Sequence, residues 1–189
     1  MMYTKDLVGD KKKIGDYFRF KNVKNYFLPI IWGNIVLVMA AFIYVYLNYG
    51  LNLELFVVSV SAAMIFTFVF CDLPFLFIYF NHANSNLHLS FSLQKKANTF
   101  KCIVESKGKE VKTFLIDDID KIIVHQSHPV YDDRLATMIW DRFFYYEIFL
   151  LNGDRIILSC LVVDDLELYL KSDLFIKRKV FFCMIPDSD

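Results

Sequence analysis

The sequence predicts an α-helical membrane hairpin joined to a mostly-β domain, the latter a small antiparallel β-barrel or sandwich of roughly six to seven strands with one short C-terminal helix. Three observations predict it. Two long apolar runs, FLPIIWGNIVLVMAAFIYVYLNY and LELFVVSVSAAMIFTFVFCDLPFLFIYF, lie between Tyr26 and Phe80 with only a short loop between them. After Phe80 apolar and polar side chains alternate, the period of a strand with one face in a core. Further on, Asn152-Gly153 stands between two such runs, the strongest short-range signal of a two-residue hairpin turn.

Residues 1–25 form a basic arm. From Met1 to Tyr26 seven Lys or Arg stand against three Asp. The arm is too long and too charged for a signal-peptide n-region, the apolar run after it is too long for an h-region, and no small-x-small cleavage site follows, so the hairpin is expected to remain in the mature protein. The loop Gly50-Leu51-Asn52 carries no Lys or Arg. The positive-inside rule then puts both termini and the β-domain on the cytoplasmic side of the inner membrane. The same charges are a candidate for attraction to anionic lipid.

The hairpin occupies residues 26–80, with a first span at about 27–49 and a second at about 53–80. No charged side chain interrupts Phe27 to Tyr49. A helix of that length, rising roughly 1.5 Å per residue, covers the ~30 Å hydrocarbon core. Neither run has the polar stripe that a half-exposed soluble helix needs. Pro29 belongs to a first turn, where its missing N–H costs little. Asp72 is the one ionisable group well inside an apolar run and therefore a candidate intramembrane polar site. It falls roughly 26 Å along a helix entering near Leu55, close to the inner interface, where headgroup water or Lys24 can meet it. Pro74 is expected to bend or end the buried part, with Phe75 to Phe80 as an interfacial aromatic belt.

The β-domain takes residues 84–189 after a polar connector, Asn81 to Asn86. Its expected strands are Leu87–Gln94, Thr99–Ser106, Glu110–Ile116, Lys121–Gln126, Phe143–Leu151 and Arg155–Leu161. Asp164 can cap a helix with Glu167 as its reciprocal partner, placing Leu166, Tyr169, Leu170 and Leu174 on one face. A last strand, Val180 to Ile185, follows the basic Lys177-Arg178-Lys179.

The order of these elements, with LPFLFIYFNH leaving the second span, FLIDDIDKIIVHQS between strands and FYYEIFLLNGDRIILSCLVVDDLELYL near the end, resembles a group of bacterial membrane proteins. These carry two transmembrane helices followed by a cytoplasmic pleckstrin-homology-like (PH-like) domain. The likeness covers roughly Tyr26 to the C-terminus. It implies a PH-like fold and a binding or assembly module. The strand expected after the helix departs from that fold, which ends with its helix.

No reactive motif emerges. The four cysteines, Cys71, Cys102, Cys160 and Cys183, form no C-x-x-C pair and are expected to be packed thiols. His125 and His128 sit at a strand end, where their spacing does not converge on a metal, and Asp132, Asp133 and Asp141 are read as solvated loop acids. There is no nucleophile elbow and no glycine-rich phosphate cradle, so no catalytic residue, cofactor or metal is expected. After Phe80 sixteen acidic residues face fourteen basic ones, which excludes a nucleic-acid role. The candidate lipid-headgroup residues are Lys95, Lys96 and Lys101, at the turn where the resemblance places phosphoinositide contacts. The candidate partner loop contains Tyr131 and Trp140. The function expected is that of a non-enzymatic integral membrane protein whose domain binds a protein or its own copies at the bilayer. Headgroup binding is the alternative, and a small transporter or membrane enzyme using Asp72 a third reading.

Overall fold

A computed structural model describes residues 12–15, 20–50, 52–86, 89–96, 99–106, 109–136 and 138–186. A short strand, β1 (Lys12–Gly15), precedes helix α1 (Phe20–Tyr49). The descending limb of the hairpin is α2 (Leu53–Thr67), a π-helical segment (Phe68–Asp72) and α3 (Leu73–Asn86). Asn52 caps α2 by accepting from the Leu55 amide at 3.1 Å, and Gly50 turns the corner at φ +69°. Both limbs are long and apolar enough to cross a membrane by length and composition, and 6% and 0% of their most apolar windows are buried, unlike core helices of a soluble protein.

The π segment has a local cause. Pro74 has no N–H to give to the carbonyl four residues back, and its ring crowds that carbonyl. Leu73 instead bonds to the Phe68 carbonyl, so the widened turn carries the helix past the proline. The limb does not end there. Asn81–Asn86, read from sequence as a connector, forms the last turns of α3.

The β-domain holds eight strands among the described residues, in two sheets ordered β1-β2-β3-β4 and β7-β6-β5-β8. β2 (Leu89–Lys96), β3 (Thr99–Ser106), β4 (Lys109–Leu115), β5 (Ile119–Ser127), β6 (Phe144–Leu150) and β7 (Arg155–Ser159) lie within two residues of the expected positions. The sheets form a sandwich and not a closed barrel. Phe91, Leu93 and Val104 of one sheet meet Ile122, Val124, Ile148 and Leu158 of the other in the core. The β6–β7 turn carries Gly153 at φ +88°, where a side chain would strain the backbone.

Three expectations are corrected. The C-terminal helix is absent: Leu166–Leu168 and Ser172–Leu174 are short 3-10 turns. Of its expected apolar face Leu166 and Leu170 are buried, but Tyr169 is exposed, and no side chain caps the turn. The last strand, β8, is Phe175–Val180 and not Val180–Ile185, so the basic triplet lies in a strand. Ile176 to Lys179 are exposed because β8 is an edge, and lysines there discourage further pairing. Finally, the domain is not wholly antiparallel, since β8 pairs parallel with β5, Ile122 opposite Phe175 and Ser127 opposite Val180.

The basic arm gained structure that sequence did not suggest: β1 pairs antiparallel with β2, Lys12 opposite Leu93. Residues before and after the hairpin thus share one sheet.

Candidate functional site

Strand direction sets which end of the domain meets the hairpin. β5 runs to Ser127, β6 starts from Phe144 opposite Gln126, β7 ends at Ser159 opposite Tyr145, and β8 ends at Val180 opposite Ser127. These ends lie together, and the feet of both helices pack there. Phe75, Ile78, Tyr79 and Ala83 of α3 join Phe143, Cys160, Leu161 and Cys183 in a second core, with Tyr26, Phe27 and Ile30 of α1 against it. Tyr26 stacks on Phe143 at 4.7 Å, Phe27 meets Phe75 and Tyr79 edge-on at 5.2 and 5.1 Å, and His82 meets Phe143 edge-on at 5.1 Å.

His82 ties this core to the sheet. Its ring is fully buried; Nε2 donates to the Cys183 carbonyl at 2.5 Å and Nδ1 accepts from the Ser159 hydroxyl at 2.8 Å. Asn81 bonds the Ile185 backbone in both directions, at 2.9 and 2.6 Å. A serine, a histidine and a thiol meet here, yet they make no nucleophile. Burial pushes the Cys160 thiol up to about 11 and the Cys183 thiol up to about 12, so both stay protonated in neutral solution. Their place is structural, as expected from sequence.

A polar network lies beside it on the outer face of the β7-β6-β5-β8 sheet. His125 Nε2 donates to Glu147 at 2.7 Å, Arg155 donates to the other carboxylate oxygen, and the His125 ring stacks on Tyr145 at 4.3 Å. His125 Nδ1 is buried without a partner, which suits the unprotonated nitrogen of a neutral ring. Burial accordingly lowers the His125 pKa from its ordinary 6.5, against the pull of Glu147.

The structure scatters the residues singled out from sequence. The Asp72 carboxylate accepts from the Asn34 side-chain amide at 3.4 Å and is half-buried; the expected meeting with Lys24 lies outside the described residues, which do not include that side chain. Trp140 is half-buried beside the second core and stands 6.2 Å from Phe182. Tyr131 is exposed, with the Lys179 ammonium 4.9 Å from its ring. Lys101 pairs with Leu115, whose strand leads into the start of β5. The β2–β3 turn therefore sits at the end remote from the hairpin; the side chains of Lys95 and Lys96 lie outside the described residues. Asp132 is held by Lys179 and Arg134, each at 2.6 Å, and Asp141 accepts from the Met138 amide, so the loop acids do not converge. Among the described residues no group of three or more His, Cys, Asp or Glu is arranged to hold a metal ion.

A family model described as a PH domain matches residues 17–171. The chain belongs to the PH domain family. The match takes in both apolar helices and strands β2 to β7, while β1 and β8 lie outside it. Neither the curated proteins nor the solved structures yielded a match to the chain. PH domains are in general binding modules without enzymatic activity, with lipids or proteins as their partners.

Sequence reasoning missed the second core. Its signal was present: Phe75, Ile78, Tyr79, His82 and Ala83 recur at helical spacing on one face, while Phe77 and Phe80 between them are exposed. Of the expected aromatic belt, Phe75 and Tyr79 are thus buried in the lock and Phe77 and Phe80 are exposed.

Proposed function

We propose that the chain is a membrane-tethered PH module: the hairpin crosses the bilayer, both ends stay on the cytoplasmic face, and the sandwich beneath binds a protein or a second copy of the chain. The observation that carries this reading is the continuity of α3, which leaves the apolar hairpin and enters the folded domain without a break, ending in the buried His82 contacts. The β1–β2 pairing agrees with it, since a strand before the hairpin can join one after it only if both lie on one side. Tethering raises the effective concentration of the domain near other membrane proteins, so weak contacts suffice. A protein partner is favoured over a headgroup at Lys95, Lys96 and Lys101 because the β2–β3 turn lies far from the feet of the spans.

Thiol labelling in intact cells tests the sidedness. Gly50 and Gly153 are poor label sites because both have positive φ. The exposed Tyr49 and Leu151 serve instead. A Tyr49→Cys variant is expected to react with an impermeant maleimide from outside, and Leu151→Cys only after permeabilisation. The reverse pattern overturns the orientation, and labelling of both from outside overturns the hairpin.

A further inference from the structure

The ends of β5 and β8 that face the hairpin release two segments with exposed apolar side chains. Phe181 is 73% exposed and Phe182 43%, directly after β8; Leu135 is 87% and Met138 46% exposed in the loop between β5 and β6. The rings are connected: Trp140 stands 6.2 Å from Phe182, Phe182 4.7 Å from Phe181, and Phe181 6.3 Å from His128. An aromatic edge of this kind held in water forgoes its burial energy, so something covers it.

We infer that this edge, Phe181, Phe182 and Trp140 with Leu135 and Met138, lies in the interfacial layer of the same bilayer that the hairpin crosses. The PH domain then touches lipid at a second place and is held at a set tilt. The inference rests on the hairpin being transmembrane. Continuity decides the occupant: Ile139 and Trp140 pack on the second core with Ile30 and Leu76, and Ile31, Trp32 and Phe77 nearby on the two helices are exposed to whatever solvates the hairpin. The helices and the edge therefore meet on one apolar cluster, through Ile139 and Trp140. Its chemistry suits that layer, since Trp and Phe collect at headgroup depth. The charge agrees as well. Asp132 beside the edge is already answered by Lys179 and Arg134, and the Arg142 side chain is exposed next to Trp140.

The test uses the full chain in vesicles of phosphatidylcholine with phosphatidylglycerol. An environment-sensitive NBD label is placed at position 181, 138, 151 or the exposed mid-span position 39 in a Cys71→Ser background, the other three thiols being buried. Lipids carrying a nitroxide near the headgroup or deeper in the acyl chain serve as quenchers. Labels at 181 and 138 are expected to be quenched about twofold or more deeply by the shallow nitroxide than the label at 151, which sits in the remote turn. In addition, Phe181→Asp with Phe182→Asp is expected to return the label at 138 to the level of 151, while the circular dichroism stays unchanged because both rings are exposed. If 39 is quenched by the deep nitroxide but 181 and 138 match 151, the edge contact is overturned and the spanning hairpin stands. If 39 is not quenched by it, the transmembrane reading fails and the inference with it. A label at 181 shielded from water yet unquenched reports a protein contact and also overturns it.

Discussion

Between the two sheets the buried side chains are mostly aliphatic, whereas the core under the hairpin adds to Ile78, Ala83 and Leu161 a set of aromatic rings, a histidine, two thiols and a serine hydroxyl. Aliphatic burial is strong and non-directional, and it makes a sandwich without fixing what stands on it. Ring edges and buried hydrogen bonds have preferred angles. The second core therefore sets how the domain is oriented on the helices, while the first sets only that the domain exists.

The comparison can be broken at its largest effects first. Leu158→Ala in the sandwich is expected to cost about 2–5 kcal/mol and Phe75→Ala about 3–5 kcal/mol, by denaturant titration in micelles. Only Phe75→Ala should broaden the distance distribution between spin labels at positions 49 and 151. Equal broadening by both would mean that the cores share one task. A smaller effect sharpens the contrast: His82→Phe keeps an aromatic ring, somewhat larger, but removes the ring nitrogens that bond the Ser159 hydroxyl and the Cys183 carbonyl, for an expected loss of about 1–3 kcal/mol. Unchanged stability would make His82 mere filling. The smallest effect is in pH. Above 6.5, the ordinary pKa of its side chain, His125 is neutral folded and unfolded, and stability is complete. As pH falls from there towards the lowered folded value, the unfolded chain takes up a proton that the folded one refuses, so stability declines. His125→Gln should make that part of a urea-midpoint profile shallower, the remaining slope coming from His82, whose pKa burial lowers to about 4.

Much of the first core was legible because each of its strands carries its own evidence. Period-two alternation in Leu87 to Gln94, and the Asn152-Gly153 turn, depend on neighbours in sequence. The second core draws on residues 26, 75–83, 143, 160 and 183, and no local window contains it. Phe75 and Tyr79 read as a lipid belt in sequence because bilayer and protein interior are alike to an apolar ring. β8 escaped notice because Lys177, Arg178 and Lys179 suit a turn as well as an exposed edge, and only pairing with β5 distinguishes them. The Leu166–Leu174 segment failed the other way, its helical spacing real but its buried stripe too narrow to hold a helix.

The pairing of β1 with β2 also governs the order of assembly. β1 leaves the ribosome before either span, and its partner strand follows only after the whole hairpin has been made. The arm must therefore wait unpaired until both helices have been made. Closing such a long loop costs on the order of 4 kcal/mol in chain entropy, and the folded hairpin, by bringing its own two ends together, removes most of that cost. Hairpin formation is thus a folding step for the β-domain, and on the proposed membrane-tethered reading the bilayer is its template.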